Sequence, residues 1–354
     1  MKKIVIFLFM SIMTFQIQAQ NKSADSKTLP RVIILATGGT IAGAGESSTK
    51  AAYTAGKIPI DDLLNAVPQI HERASIKGEQ LAKIGSQDMS IEVWLKLSKR
   101  INEIFKNNEA DAVVVTHGTD TQEETAYFLD LTVQSDKPVV IVGAMRPSTA
   151  MSQDGNRNLL DAVTIAADPK SQGRGVVAAM NELIFDGRDV TKTNTTGLAT
   201  FQSRNFGPIG LFYDGKVSYY YTSTRNPKEK FDVTKLTTLP RVDIVYGYAD
   251  ASPTAINAVV NDGTKGIVYA GMGNGNFNEA VGKALAEASK KGVSVCRAAR
   301  AGSGRVTLEN EVDDKGLGFV VSDDLNPQKA RILLMLALTK TNDREKIQQL
   351  FFEY

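Results

Sequence analysis

Cysteine and histidine are nearly missing from this chain: one of the first and two of the second in 354 residues. One cysteine excludes an intramolecular disulfide. Cys296 lies in the apolar run Val293-Ser294-Val295-Cys296 and reads as a buried thiol in a strand, not as a nucleophile. His71 and His117 are too few, and no Cys/His spacing suggests zinc, so neither a histidine metal cluster nor a zinc site is expected. A dominant charge is lacking too. Lys and Arg number 41 against 39 Asp and Glu, which gives no footing for binding nucleic acid or an anionic membrane. Beyond the apolar stretch Ile4–Phe15, no run approaches the ~20 residues that a spanning helix needs. Nucleotide fingerprints also fail. Thr40 stands where G-x-G-x-x-G would need its second glycine, Asn276 stands where the turn at Gly271 would need its third, and no G-x-x-x-x-G-K-[ST] exists. The glycine-rich turns are better explained by tight turns and close approach of backbone to a small ligand.

What is present begins with Met1-Lys2-Lys3, an apolar stretch and a polar segment ending Gln18-Ala19-Gln20. This is the pattern of a secretory signal peptide over residues 1–19, with a membrane anchor as the alternative reading. Removing it takes away two lysines and leaves the cations and anions balanced. The remaining length and the 42% hydrophobic content suit two α/β domains with substantial cores. Residues 20–221 form the larger N-terminal domain. The polar segment 222–240, broken by Pro227 and closed by Pro240, reads as a linker, and 241–354 form the smaller C-terminal domain.

Within the larger domain, apolar runs alternate with helical patterns, which predicts a mainly parallel sheet flanked by helices. Val32–Ala36, Ala112–Val115, Val139–Val142 and Gly175–Met180 read as its strands. Thr121 and Glu124 make a capping-box pattern that opens a helix running to Val133. In the smaller domain, strands are expected near Val242–Tyr246, Gly266–Ala270 and Val293–Cys296.

Two segments stand directly after strands: Thr37-Gly38-Gly39-Thr40-Ile41-Ala42-Gly43 and Thr116-His117-Gly118-Thr119-Asp120-Thr121. Ligands of open α/β sheets bind beyond the carboxyl ends of the strands, so both threonine clusters are expected to face one crevice. That arrangement suggests a hydroxyl nucleophile. A threonine hydroxyl needs a base to take its proton. His117 is one candidate, although its place at a buried strand end suits a structural role equally well. A desolvated lysine can do the same work, and Lys192 sits in a threonine-rich segment after a strand. Each residue also has an ordinary reading: helix caps for Thr40 and Thr119, a surface lysine for Lys192, a core aromatic for Tyr53. A two-domain amino-acid-binding protein would use the same crevice, but would have no need of Thr40, Thr119 and Lys192 together.

The two segments, in order and after strands, resemble the two signatures of bacterial asparaginases. Further similar blocks are Ile84-Gly85-Ser86-Gln87-Asp88-Met89, Gly143-Ala144-Met145-Arg146-Pro147-Ser148, Asp186 to Asn194, Ala270 to Asn276 and Leu325-Asn326-Pro327-Gln328-Lys329-Ala330-Arg331. With the leader, the resemblance is to the secreted type II members. It implies hydrolysis of L-asparagine to L-aspartate and ammonia without metal or organic cofactor, weaker hydrolysis of L-glutamine, a periplasmic location and a homotetramer with sites shared between subunits. It also implies roles. Thr40 would be the primary nucleophile, placed with Tyr53 and with Glu311 of a neighbouring subunit. Thr119, Asp120 and Lys192 would form a second catalytic group. Ser86 would hold the substrate's α-carboxylate, and Asp120 and Gln87 its α-ammonium, supported by Asn276 of the neighbour. Backbone around Gly39, Thr40, Gly118, Thr119 and Ala144 would face the amide and its oxyanion. Many enterobacterial members carry a disulfide whose matching positions here are Glu103 and Ser135, a difference that bears on stability.

The chemistry agrees with these implied roles. An α-amino acid offers one anion and one cation, which suit a hydroxyl with backbone N–H groups and a carboxylate respectively. Charge-assisted hydrogen bonds of this kind contribute about 1.5–3 kcal/mol each.

Overall fold

A computed structural model describes residues 28–49, 52–223, 225, 227 and 229–354. The leader 1–19 lies outside the described residues. The chain builds two α/β domains, one around an eight-stranded sheet and one around a four-stranded sheet.

The N-terminal domain runs β1 (Arg31–Gly38), α1 (Ile60–Asn65), β2 (Ser75–Ile84), α2 (Ile91–Lys106), β3 (Ala112–Thr116), α3 (Gln122–Thr132), β4 (Val139–Val142), α4 (Gly155–Ala167) and β5 (Val176–Met180). Then come five short strands: β6 (Leu183–Asp186), β7 (Val190–Lys192), β8 (Phe201–Ser203), β9 (Gly210–Tyr213) and β10 (Lys216–Tyr219). The main sheet has the order β10-β9-β6-β5-β4-β3-β1-β2. From β2 to β5 all pairs are parallel, as expected; β6, β9 and β10 extend the sheet by antiparallel pairing, which the alternation of strand and helix does not foretell. β7 and β8 stand apart as a two-stranded ribbon.

The apolar runs of β1 and β3 are buried on both faces. Alternation along β1 sends Ile33 and Leu35 into the layer of α2 and α3, and Val32, Ile34 and Ala36 into the layer of α1 and α4. Parallel pairing of Ala36 with Thr116 and of Thr116 with Val142 brings the carboxyl ends of β1, β3 and β4 side by side. The loops after these three strands therefore leave the sheet together.

The helix after β3 forms as expected, but without the capping box. Thr121 makes no cap bond to α3; its hydroxyl donates instead to the Ser86 carbonyl at 2.7 Å. A tertiary partner from the loop after β2 takes the oxygen's role, and α3 is buried on nearly every side rather than along one face.

The C-terminal domain contains β11 (Val242–Tyr246), α5 (Thr254–Asn261), β12 (Gly266–Gly271), α6 (Glu279–Lys290), β13 (Ser294–Ala299), α7 (Asp314–Leu317), β14 (Phe319–Val321), α8 (Pro327–Ala337) and α9 (Arg344–Glu353). Its parallel sheet has the order β11-β12-β13-β14. Cys296 is buried within β13, where burial pushes its thiol pKa up, as the reading of an inert thiol expects. Residues of α8 and α9 share one apolar core with α3 of the larger domain. The intervening segment joins that core too. Phe231, Val233 and Leu239 are buried, and the Phe231 N–H donates to the Leu131 carbonyl at 2.8 Å.

Candidate active site

The site begins where glycine is the residue that fits. Gly38 and Gly39 have φ of 114° and 81°. A Cβ on Gly38 would lie 2.7 Å from the Ile84 backbone nitrogen, and one on Gly39 would run into the backbone of Gly118. Left-handed backbone and backbone-to-backbone contact both exclude a side chain. The loops after β1 and β3 thus touch at Gly39 and Gly118. Each carries its threonine on the next residue.

Thr40 opens a single 3-10 turn and is buried. Its Oγ1 lies 2.6 Å from the Tyr53 hydroxyl. Tyr53 is 40% exposed, so it is no core aromatic but covers Thr40 from the solvent side. Across the glycine contact, buried Thr119 accepts a hydrogen bond from Lys192 Nζ at 2.9 Å, and the same ammonium reaches Asp120 Oδ1 at 2.6 Å. Lys192 is mostly covered (17% exposed) while Asp120 faces solvent (59%), so the carboxylate keeps room for another cation. Two threonine hydroxyls, each with a titratable partner, therefore sit on two loops in contact.

Ser86 follows β2 in a one-turn helix. Its Oγ accepts from the Asp120 N–H at 3.1 Å, and a Cβ on Gly118 would come within 2.6 Å of it. Gln87 folds its amide back over Gly85, whose absent Cβ would lie 2.5 Å from that group. Ala144 follows β4 and is fully buried. The turn after it is held by Asp154, which accepts from the N–H groups of Met145 (3.0 Å) and Arg146 (2.9 Å). Gly143 touches Thr119: a Cβ there would lie 3.2 Å from Thr119 Cγ2. Thr40, Tyr53, Ser86, Thr119, Asp120, Ala144 and Lys192, with Gly39 and Gly118, thus gather around the carboxyl ends of the central strands.

Asn276 and Glu311 do not join them. They pair with each other in the C-terminal domain, Asn276 Nδ2 donating to Glu311 Oε2. Among the described residues no hydrogen bond links this pair to the threonine loops.

His117 is not a base for either threonine. Trp94 Nε1 donates to Thr125 Oγ1 at 2.8 Å, the Thr125 hydroxyl donates to His117 Nε2 at 2.8 Å, and His117 Nδ1 donates to the Gly118 carbonyl at 2.7 Å. This directed chain occupies both ring nitrogens and fixes the neutral tautomer. Complete burial lowers the histidine's pKa to about 4. The ring braces the Gly118 turn from within. His71 is exposed in the helical turn Pro68–Glu72. Among the described residues no three His, Cys, Asp or Glu side chains converge to hold a metal ion.

The residues reasoning from sequence did not assign lie behind Lys192. Glu123, on the first turn of α3, accepts from the Lys192 N–H at 2.6 Å and from the Thr191 hydroxyl. Asn326 and Lys329, at the start of α8, reach the same strand. A lysine at the opening of a helix whose later turns are apolar was a visible signal, although it named no partner.

Comparison with known proteins gives a consistent picture. Residues 31–225 match the family described as "Asparaginase, N-terminal", and residues 241–351 match "Glutaminase/Asparaginase C-terminal domain". The chain is 55% identical over 334 residues to "L-asparaginase 2" of Escherichia coli, an alignment covering 94% of this chain and 95% of that protein. It is 53% identical to "Probable L-asparaginase periplasmic" of Haemophilus influenzae, covering 94% of this chain and 95% of that one. A solved structure titled "Probable Cytoplasmic L-asparaginase from Campylobacter jejuni" is similar with a TM-score of 0.89 at 49% identity, covering 92% of this chain and all of that one.

Proposed function

The chain belongs to the asparaginase family, and on that premise we propose that its two threonine loops divide the work of amide hydrolysis. The protein is an L-asparaginase. It converts L-asparagine and water to L-aspartate and ammonia, with weaker hydrolysis of L-glutamine. In the proposed mechanism Thr40 Oγ1 attacks the side-chain amide carbon, and the Tyr53 hydroxyl accepts the threonine proton while passing its own on toward the amide nitrogen. The carbonyl oxygen gains charge, which backbone N–H groups around Thr40, Thr119 and Ala144 stabilise. With that proton on the nitrogen, collapse of the tetrahedral species breaks the C–N bond and releases ammonia, leaving an aspartyl ester on Thr40. Water then attacks the ester carbon, its proton returns to the threonine oxygen, and aspartate leaves. Thr119 and Lys192 move protons on the opposite side of the amide.

Binding of the amino-acid end follows from charge. Ser86, with backbone N–H groups, receives the α-carboxylate. The open face of Asp120 and the amide of Gln87 receive the α-ammonium. Glutamine presents the same α-groups but is one methylene longer, a difference worth about 1–3 kcal/mol. The observation that carries this reading is the pair of hydroxyl contacts, Thr40 with Tyr53 and Thr119 with Lys192, on loops that touch at Gly39 and Gly118.

Within one chain the Asn276 and Glu311 side chains bond each other and, among the described residues, make no hydrogen bond to that cluster, which supports their belonging to a neighbour's site in a homotetramer. The type II, periplasmic reading rests on the pattern of residues 1–19 and on the Haemophilus relative's name; the Campylobacter relative is titled cytoplasmic. Among the described residues no helix is long and apolar enough to cross a membrane.

Turnover of Thr40→Ala and of Lys192→Met tests the division of work. Loss of general-base assistance costs about 10²–10⁴-fold in rate. Each variant should fall by at least the lower figure while keeping its far-UV spectrum. A Lys192→Met enzyme that turns over at the wild-type rate would remove the second group from the mechanism.

A further inference from the structure

Lys192 ends a three-residue strand that pairs, among the described residues, with the short strand β8 and with neither main sheet. Its position comes from elsewhere. Glu123 is 4% exposed and spends both carboxylate oxygens on this segment and its surroundings. Oε2 accepts from the Lys192 N–H at 2.6 Å and from the Thr191 hydroxyl, and Oε1 accepts from Asn326 Nδ2 at 3.4 Å. Asn326 Nδ2 also lies 3.3 Å from Thr191 Oγ1. One turn along α8, buried Lys329 donates to three carbonyls of the approaching chain: Gly187 at 3.2 Å, Arg188 at 2.5 Å and Val190 at 2.6 Å. Burial lowers the Lys329 pKa to about 8, and the negative charge of Glu123 works against that shift.

We propose that Glu123 is a positioning residue for Lys192, gripping the lysine's backbone from the same helix start that presents Thr119 and Asp120 to its ammonium. Glu123 lies four residues after Thr119 and three after Asp120, on the first turn of α3. The first turn of α3 and the loop that leads into it thereby fix both ends of Lys192: its N–H through Glu123, and its Nζ through Thr119 and Asp120. Lys329 and Asn326 extend the clamp from the C-terminal domain, which ties the lysine's placement to the packing of α8 against the larger domain. The inference rests on the reading of Lys192 as the proton-moving partner of Thr119. It predicts a specific kinetic pattern, because Ser86 and Gln87 lie outside the clamp. Misplacing Lys192 should slow the chemical step far more than it weakens substrate binding, which it reaches only through Asp120.

The test is steady-state kinetics with L-asparagine on the purified full chain for Glu123→Gln and Thr191→Val, each alone and combined with Lys192→Met. Glu123→Gln removes the charge and one of the two acceptor oxygens. Thr191→Val removes a neutral hydroxyl and carries the test if the first variant does not fold. Each single change should lower kcat by about ten- to a hundredfold with KM moving less than about threefold. In the Lys192→Met background neither should lower the residual rate further, since a residue acting through Lys192 has nothing left to position. A kcat at the wild-type level, a loss carried mainly by KM, or the same loss in both backgrounds would overturn the proposal. Lys192→Met distinguishes the two readings. If it alone keeps full turnover, the role of Lys192 fails and the clamp loses its purpose. If it is inactive while Glu123→Gln and Thr191→Val turn over normally, only the positioning role fails.

Discussion

His117 shows how a residue with catalytic credentials can be assigned by its partners. It sits inside the second threonine segment, and sequence alone leaves it open as a base. Its two ring nitrogens, however, close a chain from Trp94 through Thr125 to the Gly118 carbonyl, all buried. A histidine held neutral with a pKa of about 4 gives a definite pH dependence. Between that value and its ordinary 6.5, the unfolded chain binds a proton that the folded chain refuses, so stability falls as pH drops through this window. The loss from pH 7 to pH 5 amounts to about 2 kcal/mol. Glu124, pushed up to about 7 by burial, titrates in the same range with the opposite sign. The quantity to measure is therefore the difference between wild type and His117→Gln in denaturant melts. That difference should shrink by about 2 kcal/mol between pH 7 and pH 5. A constant difference would mean that the buried imidazole is protonated in the folded protein.

The elements of the fold differ in how plainly the sequence announces them. β1, β3, β4 and β12 are apolar runs buried on both faces, and such runs are visible without any structure. β14 is three residues long, and β6, β9 and β10 are short antiparallel strands, so periodicity has little length on which to act. α3 was legible as a helix, but its cap was not, because the Thr121 hydroxyl bonds Ser86 from a distant part of the chain. The same limit applies to the site. Thr40, Thr119 and their glycines stand in contiguous segments that can be read directly. Glu123 and Lys329 act on residues 68 and 139 or more positions away, and no local pattern states such pairings. The loop elements carry a prediction of their own. At Gly39 an alanine would meet a positive φ of 81° and the Gly118 backbone at once. Gly39→Ala should push the two loops apart and lower kcat/KM by about a hundredfold or more, while the buried sheet keeps the domain folded. Amide exchange confined to the loops after β1 and β3 would accompany that loss; an unchanged kcat/KM would mean that the loop contact does not set the geometry.

On the proposed reading, one chain of the whole molecule supplies an incomplete site. The two threonine loops, Ser86 and Lys192 converge in the N-terminal domain, while the Asn276 and Glu311 side chains bond each other and, among the described residues of one chain, make no hydrogen bond to those loops. A carboxylate and an amide so placed are available to a second copy, and a closed symmetric oligomer would complete every site in the same way. Mixing two inactive variants tests this most directly. Thr40→Ala lacks the proposed nucleophile and Glu311→Ala lacks the proposed partner carboxylate, so each alone should be nearly inactive. Unfolded together and refolded, random pairing places an intact Thr40 against an intact Glu311 in about a quarter of the sites. The account predicts that asparagine hydrolysis returns to about that fraction of the wild-type rate. Mixed oligomers that form, as shown by mass, yet release no more ammonia than the separate variants would contradict it.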